Sequence, residues 1–310
     1  MTINKSNESG FRLYLHQRQL SPQSIHTYQR YCNIFTAWLQ SERLEATEIT
    51  YTDMLNFIKH VKEQGLKPGY IMKILGVVRH YFNYLKYIDK IQTNPANGLY
   101  IRGKQRRIPH DLLTAEQLDE MYTKFDAKLK DEQTRYKVGG KLVAKRNKII
   151  LGLLIYQGIN TQELGLLEPE HLKLREGKII IPGTSRSNRR TLNLEAHQMI
   201  DLQEYIQKTR MLILEITEKQ TEKLFMSIGQ SSSMSNSIDK LMRSLRKEHS
   251  YFVNVQQIRQ SRISIWVKQY DLRQAQYMAG HKYVGSTERY QSTNLEDLQK
   301  ELEKCHPSRK

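Results

Sequence analysis

The sequence predicts a mainly α-helical protein in two units, the second carrying a small antiparallel β-sheet. Three observations carry that expectation. Apolar residues recur at helical spacing through most of the 310 residues. One stretch crowded with basic side chains, YIRGKQRRIPHD (100–111), interrupts the pattern with a glycine and a proline. A later stretch, 171–194, changes to short strand-like runs around a polar turn.

The first unit, 1–99, reads as helices only. A short helix precedes Ser21. Ser21 then caps a helix over 21–42, and Pro22 sits in its first turn, where a missing N–H costs nothing. Ile25, Tyr28, Cys32, Phe35 and Leu39 form its apolar face. Thr52 opens the next helix, with Leu55, Ile58 and Val61 inward and Gly65 closing it. Residues 68–89 form a third, strongly apolar helix, and the unit ends at TNPANG (93–98). Residues 100–113 are an extended basic linker.

The second unit, 114–310, opens on a capping box formed by Thr114 and Gln117. Helices are expected over 115–126 and 142–157, the latter apolar enough to lie in a core. HLKLREGKIIIPG and RRTLNLE supply two strands around the turn TSRSN (184–188), and LFMS (224–227) suggests another strand. Helical patterns return over 195–214, 234–248, 256–269 and 271–279. The tail NLEDLQKELEKC (294–305) starts on an Asn cap and aligns Leu295, Leu298 and Leu302.

Lys and Arg total 49 against 32 acidic residues, a net charge of +17. Such an excess selects a polyanionic partner, and nucleic acid before a membrane surface. No apolar run reaches the roughly 18 residues that a span needs, and MTINKSNESG lacks a signal-peptide core. The two cysteines, Cys32 and Cys305, stand far apart, so a disulfide framework is not expected and a reducing cytoplasm is. There is no Cys/His set with zinc spacing and no GxxxxGK[ST] phosphate loop, so neither a metal nor ATP has support.

The chemistry concentrates at the end: Arg259 at the start of a helix, DLRQAQYMAGH (271–281), then STERY (286–290), with Tyr290 nine positions beyond His281. Taken singly, each residue has an ordinary reading as packing or surface, since the chain holds 18 tyrosines. Taken together, the order resembles the catalytic half of the tyrosine recombinases, the phage integrase family. The helical first unit, the NPA segment (94–96) and the basic linker also resemble that family's two-domain DNA clamp. The resemblance extends over essentially the whole chain and is specific from Arg259 to Tyr290.

The resemblance implies a helical core-binding domain, an α+β catalytic domain, and a site-specific recombinase. Its Tyr290 phenol attacks a DNA phosphodiester to give a 3′-phosphotyrosine and a free 5′-hydroxyl. The covalent link stores the bond energy, so no cofactor is needed. Arg259 stabilises the phosphate charge bidentately without titrating. His281 either donates to a nonbridging oxygen or handles a proton.

Three positions depart from the family pattern. In YQGINTQELGLL (156–167), Gly158, Glu163 and Leu164 fit, but Asn160 stands where the family has its first arginine. Gln256 stands in place of a His or Lys. The hairpin turn has Thr184 near the position of the family's general-acid lysine and no lysine of its own. Candidate substitutes are Arg189 or Arg190 for the missing charge, with Arg186 and Arg262 nearby, and Lys178 as the nearest hairpin lysine. Glu163 supports the site. Expected DNA contacts are Arg102, Lys104, Arg106, Arg107, Arg186 and Arg262.

Two readings follow: an active recombinase that integrates, excises or inverts DNA for a mobile element, and a catalytically weakened DNA-binding accessory protein on the same scaffold. The first implies double-stranded DNA bound by a homotetramer that joins through the 294–305 helix. Accessory DNA-bending proteins or a second recombinase are further partners. A bacterial or phage-encoded protein at the nucleoid, not at a membrane, is the expected setting.

Overall fold

In a computed structural model, residues 3–101, 111–130, 138–229 and 234–291 are described. The chain divides into two compact units, 1–105 and 106–310. The basic linker residues Arg102, Lys104, Arg106 and Arg107 and the tail helix 294–305 lie outside the described residues.

Among its described residues the first unit has four helices: α1 (Ile3–Gln17), α2 (Pro22–Ser41), α3 (Tyr51–Glu63) and α4 (Pro68–Tyr87). Ser21 caps α2 by accepting from the Ser24 N–H. Ile25, Cys32, Phe35 and Leu39 are buried, and Tyr28 packs against the same core. The α3 cap is Thr50, two residues earlier than Thr52, because Thr50 and Asp53 close a reciprocal capping box. Met54, Phe57, Ile58 and Val61 are buried, so Ile58 and Val61 turn inward as expected, while Leu55, expected inside, is 46% exposed. The NPA segment folds back on α4. Asn94 donates to the carbonyl of Arg79 and to Asn83, and Arg79 returns bonds to the carbonyls of Ala96 and Leu99.

The second unit is built on α5 (Ala115–Lys130) and α6 (Val138–Tyr156). Ile150, Leu151, Leu153, Leu154 and Ile155 make α6 the centre of its core. Then come α7 (Thr161–Leu166), β1 (Leu172–Lys173), β2 (Lys178–Ile181), β3 (Arg190–Asn193), α8 (Ala196–Glu204), α9 (Arg210–Thr217), α10 (Ser235–Glu248), α11 (Val255–Gln269) and α12 (Leu272–Ala279). The three strands form one antiparallel sheet in sequence order, with Ile181 opposite Arg190. The fold is therefore mainly helical with a small antiparallel sheet, as the sequence predicts.

One local expectation in this unit fails. LFMS (224–227) is not a strand. Its apolar side chains are buried, but Leu224 N–H bonds to the Leu167 carbonyl, and Arg146 Nη1 donates to the Met226 carbonyl at 2.8 Å. The helical pattern expected over 195–214 is met by a continuous helical run in which a wider π turn at Tyr205–Thr209 joins α8 to α9. No described helix is long and apolar enough to cross a membrane.

Candidate active site

Five elements meet at the site: the N-terminus of α7, the start of β3, the first turns of α11, the turn after α12, and the helical segment 285–291 that carries Thr287 and Tyr290. Asn160 is the N-cap of α7. Its side-chain oxygen accepts from the Glu163 N–H at 2.9 Å, and the Glu163 carboxylate accepts from the Asn160 N–H at 3.0 Å. An arginine cannot make that cap, so the unexpected Asn160 has a definite local cause. Its amide nitrogen remains to donate into the adjoining cleft of about 430 Å³, which Gln256, Arg259, Asp239 and Arg246 also line.

Arg190 enters from β3 and grips Glu163 with a two-pronged fork, Nη1 to Oε1 at 2.8 Å and Nη2 to Oε2 at 3.1 Å. Both side chains are fully buried. Arg259, from α11, donates Nη1 to the Gly158 carbonyl and Nη2 to the Ala279 carbonyl at 2.6 Å, and lies 3.6 Å from Glu163 Oε2. Two guanidiniums thus share one carboxylate. Burial raises the Glu163 carboxyl, but Arg190, Arg259 and the Asn160 N–H outweigh it and hold the carboxyl below the usual range.

Gly280 ends α12 in the left-handed conformation, φ 67°. A Cβ there would lie 2.4 Å from Arg190 Nη1. Glycine is required for both the turn and the close approach. The hairpin is tied to this turn: Asn188 N–H donates to the Gly280 carbonyl at 2.9 Å, and Ser187 pairs with His281. Thr184, near the family's lysine position, closes its own turn by accepting from the N–H groups of Arg186 and Ser187.

His281 Nδ1 lies 2.8 Å from the Thr287 hydroxyl. Burial, and then Arg259, Arg289 and Arg190, pull its pKa down to about 4, so the ring is neutral at pH 7. Tyr290 is 1% exposed and stacks on His281, ring centroids 6.3 Å apart and planes at 18°. Burial raises its phenol, while Arg289 and Arg259 oppose the rise. Arg289 covers the ring at 5.4 Å.

Tyr290, His281, Arg259, Glu163, Asn160 and Arg190 are therefore gathered at one place, with Gln256 at the mouth of the adjoining cleft. Other candidates are not. Lys178 pairs with Asn193 at the far end of the strand from Ile181 and Arg190, about 10 Å away at strand rise. Arg186 and Arg189 are exposed at the hairpin tip. Arg262 donates to the Ile155 carbonyl at 2.6 Å and stacks on Tyr156, lining a separate cavity with Asp119 and Glu195. Its guanidinium is thereby held apart from the cluster. Sequence reasoning missed Thr287 and the two carbonyls that hold Arg259. The first carries a weak local signal, lying one turn before Tyr290; the carbonyls carry none.

Comparison with known proteins shows the family and the fold. Residues 112–296 match the Phage integrase family, and residues 9–87 match its N-terminal SAM-like domain. Tyrosine recombinase XerC of Oceanobacillus iheyensis is 23% identical over 295 residues, covering 94% of this chain and 92% of that protein. Among solved structures, the XerH site-specific recombinase bound to difH substrate superposes with a TM-score of 0.68 at 18% identity, covering 88% of this chain and 77% of the other. The Tn1549 transposon integrase in complex with a circular intermediate DNA gives 0.63 at 14% identity, covering 92% and 94%. At these identities the two superpositions speak for the fold.

Proposed function

The chain belongs to the phage integrase family, and we propose that it is an active site-specific recombinase that cuts and rejoins double-stranded DNA through Tyr290. The phenol gives up its proton as its oxygen attacks phosphorus, the phosphorus–5′-oxygen bond breaks, and the 5′ oxygen takes up a proton to leave as the hydroxyl, so that no proton is gained or lost overall. A 5′-hydroxyl of another strand later reverses the step. Arg259, 9% exposed at its side chain, and His281 reach the phosphate.

The observation that carries an active site, despite Asn160, is the buried Arg190–Glu163–Arg259 cluster. The task of the family's first arginine is divided between two residues. Asn160 supplies a hydrogen-bond donor to the cleft. Arg190 supplies charge from behind by neutralising Glu163, which leaves the charge of Arg259 for the phosphate. Arg190 compensates as a positioning residue, without touching DNA. The exposed Arg186 and Arg189, and the basic linker, grip neighbouring phosphates. The same chemistry requires two duplexes and four protomers, with the 294–305 segment joining them.

The test uses a pool of nicked duplexes with a randomised stretch. Full-length protein is incubated with the pool, and DNA that remains attached under denaturing conditions is recovered. Recovery that Tyr290→Phe abolishes supports the reading. Arg190→Ala should also abolish attachment while leaving duplex binding, whereas Arg189→Ala should weaken binding and still cleave. No Tyr290-dependent attachment, with binding retained, favours the accessory-protein reading. Wild-type cleavage by Arg190→Ala ends the compensation proposal.

A further inference from the structure

His281 can act either as a hydrogen-bond donor to the phosphate or as a base for the Tyr290 proton, and the two roles need opposite proton placements on the ring. We infer that Thr287 locks His281 as the tautomer carrying its proton on Nε2, which makes it a donor to a nonbridging phosphate oxygen and removes it as the base. This rests on the recombinase reading for its consequence, but the tautomer itself is a property of the free protein.

The argument is one of hydrogen-bond accounting. Thr287 is 0% exposed, and its hydroxyl meets His281 Nδ1 at 2.8 Å. That contact is the hydroxyl's only hydrogen bond among the described residues, while the Thr287 N–H is taken up by the Val284 carbonyl. A neutral imidazole has one donor nitrogen and one acceptor. Were Nδ1 to carry the proton, it would donate to the Thr287 oxygen and leave the buried hydroxyl hydrogen with no acceptor, an arrangement that folded proteins avoid. With the hydroxyl donating to Nδ1, both groups are satisfied and the proton sits on Nε2. That nitrogen makes no hydrogen bond within the described residues and is not sealed from solvent. Burial first, and then the charged groups facing the ring, keep it neutral: Arg259, Arg289 and Arg190 oppose a second proton, and Glu163 only partly offsets them. His281 therefore presents a fixed N–H at neutral pH, where an unbuttressed ring would exchange between tautomers. Thr287 is a positioning residue, acting on the phosphate only through His281.

The experiment is a two-bond proton–nitrogen correlation spectrum of the full-length protein with labelled histidine, at pH 7 and without DNA. The His281 signals are identified by their loss in His281→Gln. Wild type and Thr287→Ser should show a pyridine-like Nδ1 and a pyrrole-like Nε2. Thr287→Val should move Nδ1 towards the midpoint, the sign of mixed tautomers. A pyrrole-like Nδ1 in wild type, or an Nδ1 in Thr287→Val that does not move, overturns the inference. If the valine variant does not fold by circular dichroism, Thr287→Ala, which only deletes atoms, is read the same way. Because this readout needs no cleavage, its failure is distinct from failure of the recombinase reading. In the suicide-substrate assay, Thr287→Val should then lose at least about tenfold in cleavage rate, with Thr287→Ser near wild type.

Discussion

Replacing Arg190 by methionine, a side chain of similar reach without charge, separates what the buried cluster does for stability from what it does for chemistry. Arg190 and Glu163 are both 0% exposed, so solvent does not screen the pair. Removing one partner of such a pair costs about 3–5 kcal/mol, because the other charge is stranded. Glu163 is not wholly stranded: the Asn160 N–H at 3.0 Å and Arg259 at 3.6 Å remain. The expected loss therefore sits at the low end, about 3 kcal/mol. The chemical cost follows from counting charges. Two guanidiniums and one carboxylate leave the cluster one positive charge in excess; Arg190→Met leaves one guanidinium against one carboxylate, and none. Glu163 then neutralises Arg259. Losing an effective donor at the developing charge costs about 100- to 1,000-fold in rate. The double variant Arg190→Met/Glu163→Gln restores the excess charge and strands nothing. It should recover most of the stability and bring cleavage to within about tenfold of wild type. Urea unfolding reads the first quantity and single-turnover formation of the covalent complex the second. A single variant that cleaves within about threefold of wild type, or a double variant as inactive as the single, refutes the charge-neutralising role.

Three further outcomes follow from the same geometry. Gly280→Ala places a Cβ 2.4 Å from Arg190 Nη1 at φ 67°, so it should lower unfolding free energy by about 2 kcal/mol or more and slow cleavage. Asn160→Ala should lose about 1 kcal/mol with the α7 cap, whereas Asn160→Asp keeps the cap and the stability but sets a carboxylate at the phosphate cleft, so only its cleavage should collapse. His281, with a folded pKa of about 4 against 6.5 unfolded, makes the unfolded chain bind more protons between those values. Stability should therefore fall as pH drops from 6.5 to 4, by about 3 kcal/mol at most at about 1.36 kcal/mol per unit, and urea titrations of His281→Gln should lose that part of the slope.

What could be read in the sequence, and what could not, follows from how far apart the interacting residues lie. The long helices were legible because burial imposes its period on them, as from Ile25 to Leu39. Leu55 was misplaced because it flanks the buried stripe of Met54, Phe57, Ile58 and Val61, whereas Ile58 and Val61 were placed inward correctly. LFMS reads as a strand because its apolar residues are as buried as strand residues, and tertiary contacts satisfy its backbone another way: Leu224 N–H on the Leu167 carbonyl, Tyr205 on the Leu224 carbonyl and Arg146 on the Met226 carbonyl. Arg259, His281 and Tyr290 were legible because their spacing carries the family resemblance. The Arg190–Glu163 pair spans 27 positions and belongs to no local pattern. Even so, half of it was within reach. Strand side chains alternate, so on RRTLNL the face of Leu192 and Leu194 is also that of Arg190, whereas Arg189 shares the opposite face with Thr191 and Asn193. That parity alone singles out Arg190 as the inward arginine. An inward guanidinium demands a buried carboxylate, and Asn160-Thr-Gln-Glu163 reads as a capping box that would hold one still. What the sequence withholds is the distance between the two, and with it the reason that an uncharged residue at position 160 leaves the site its positive charge.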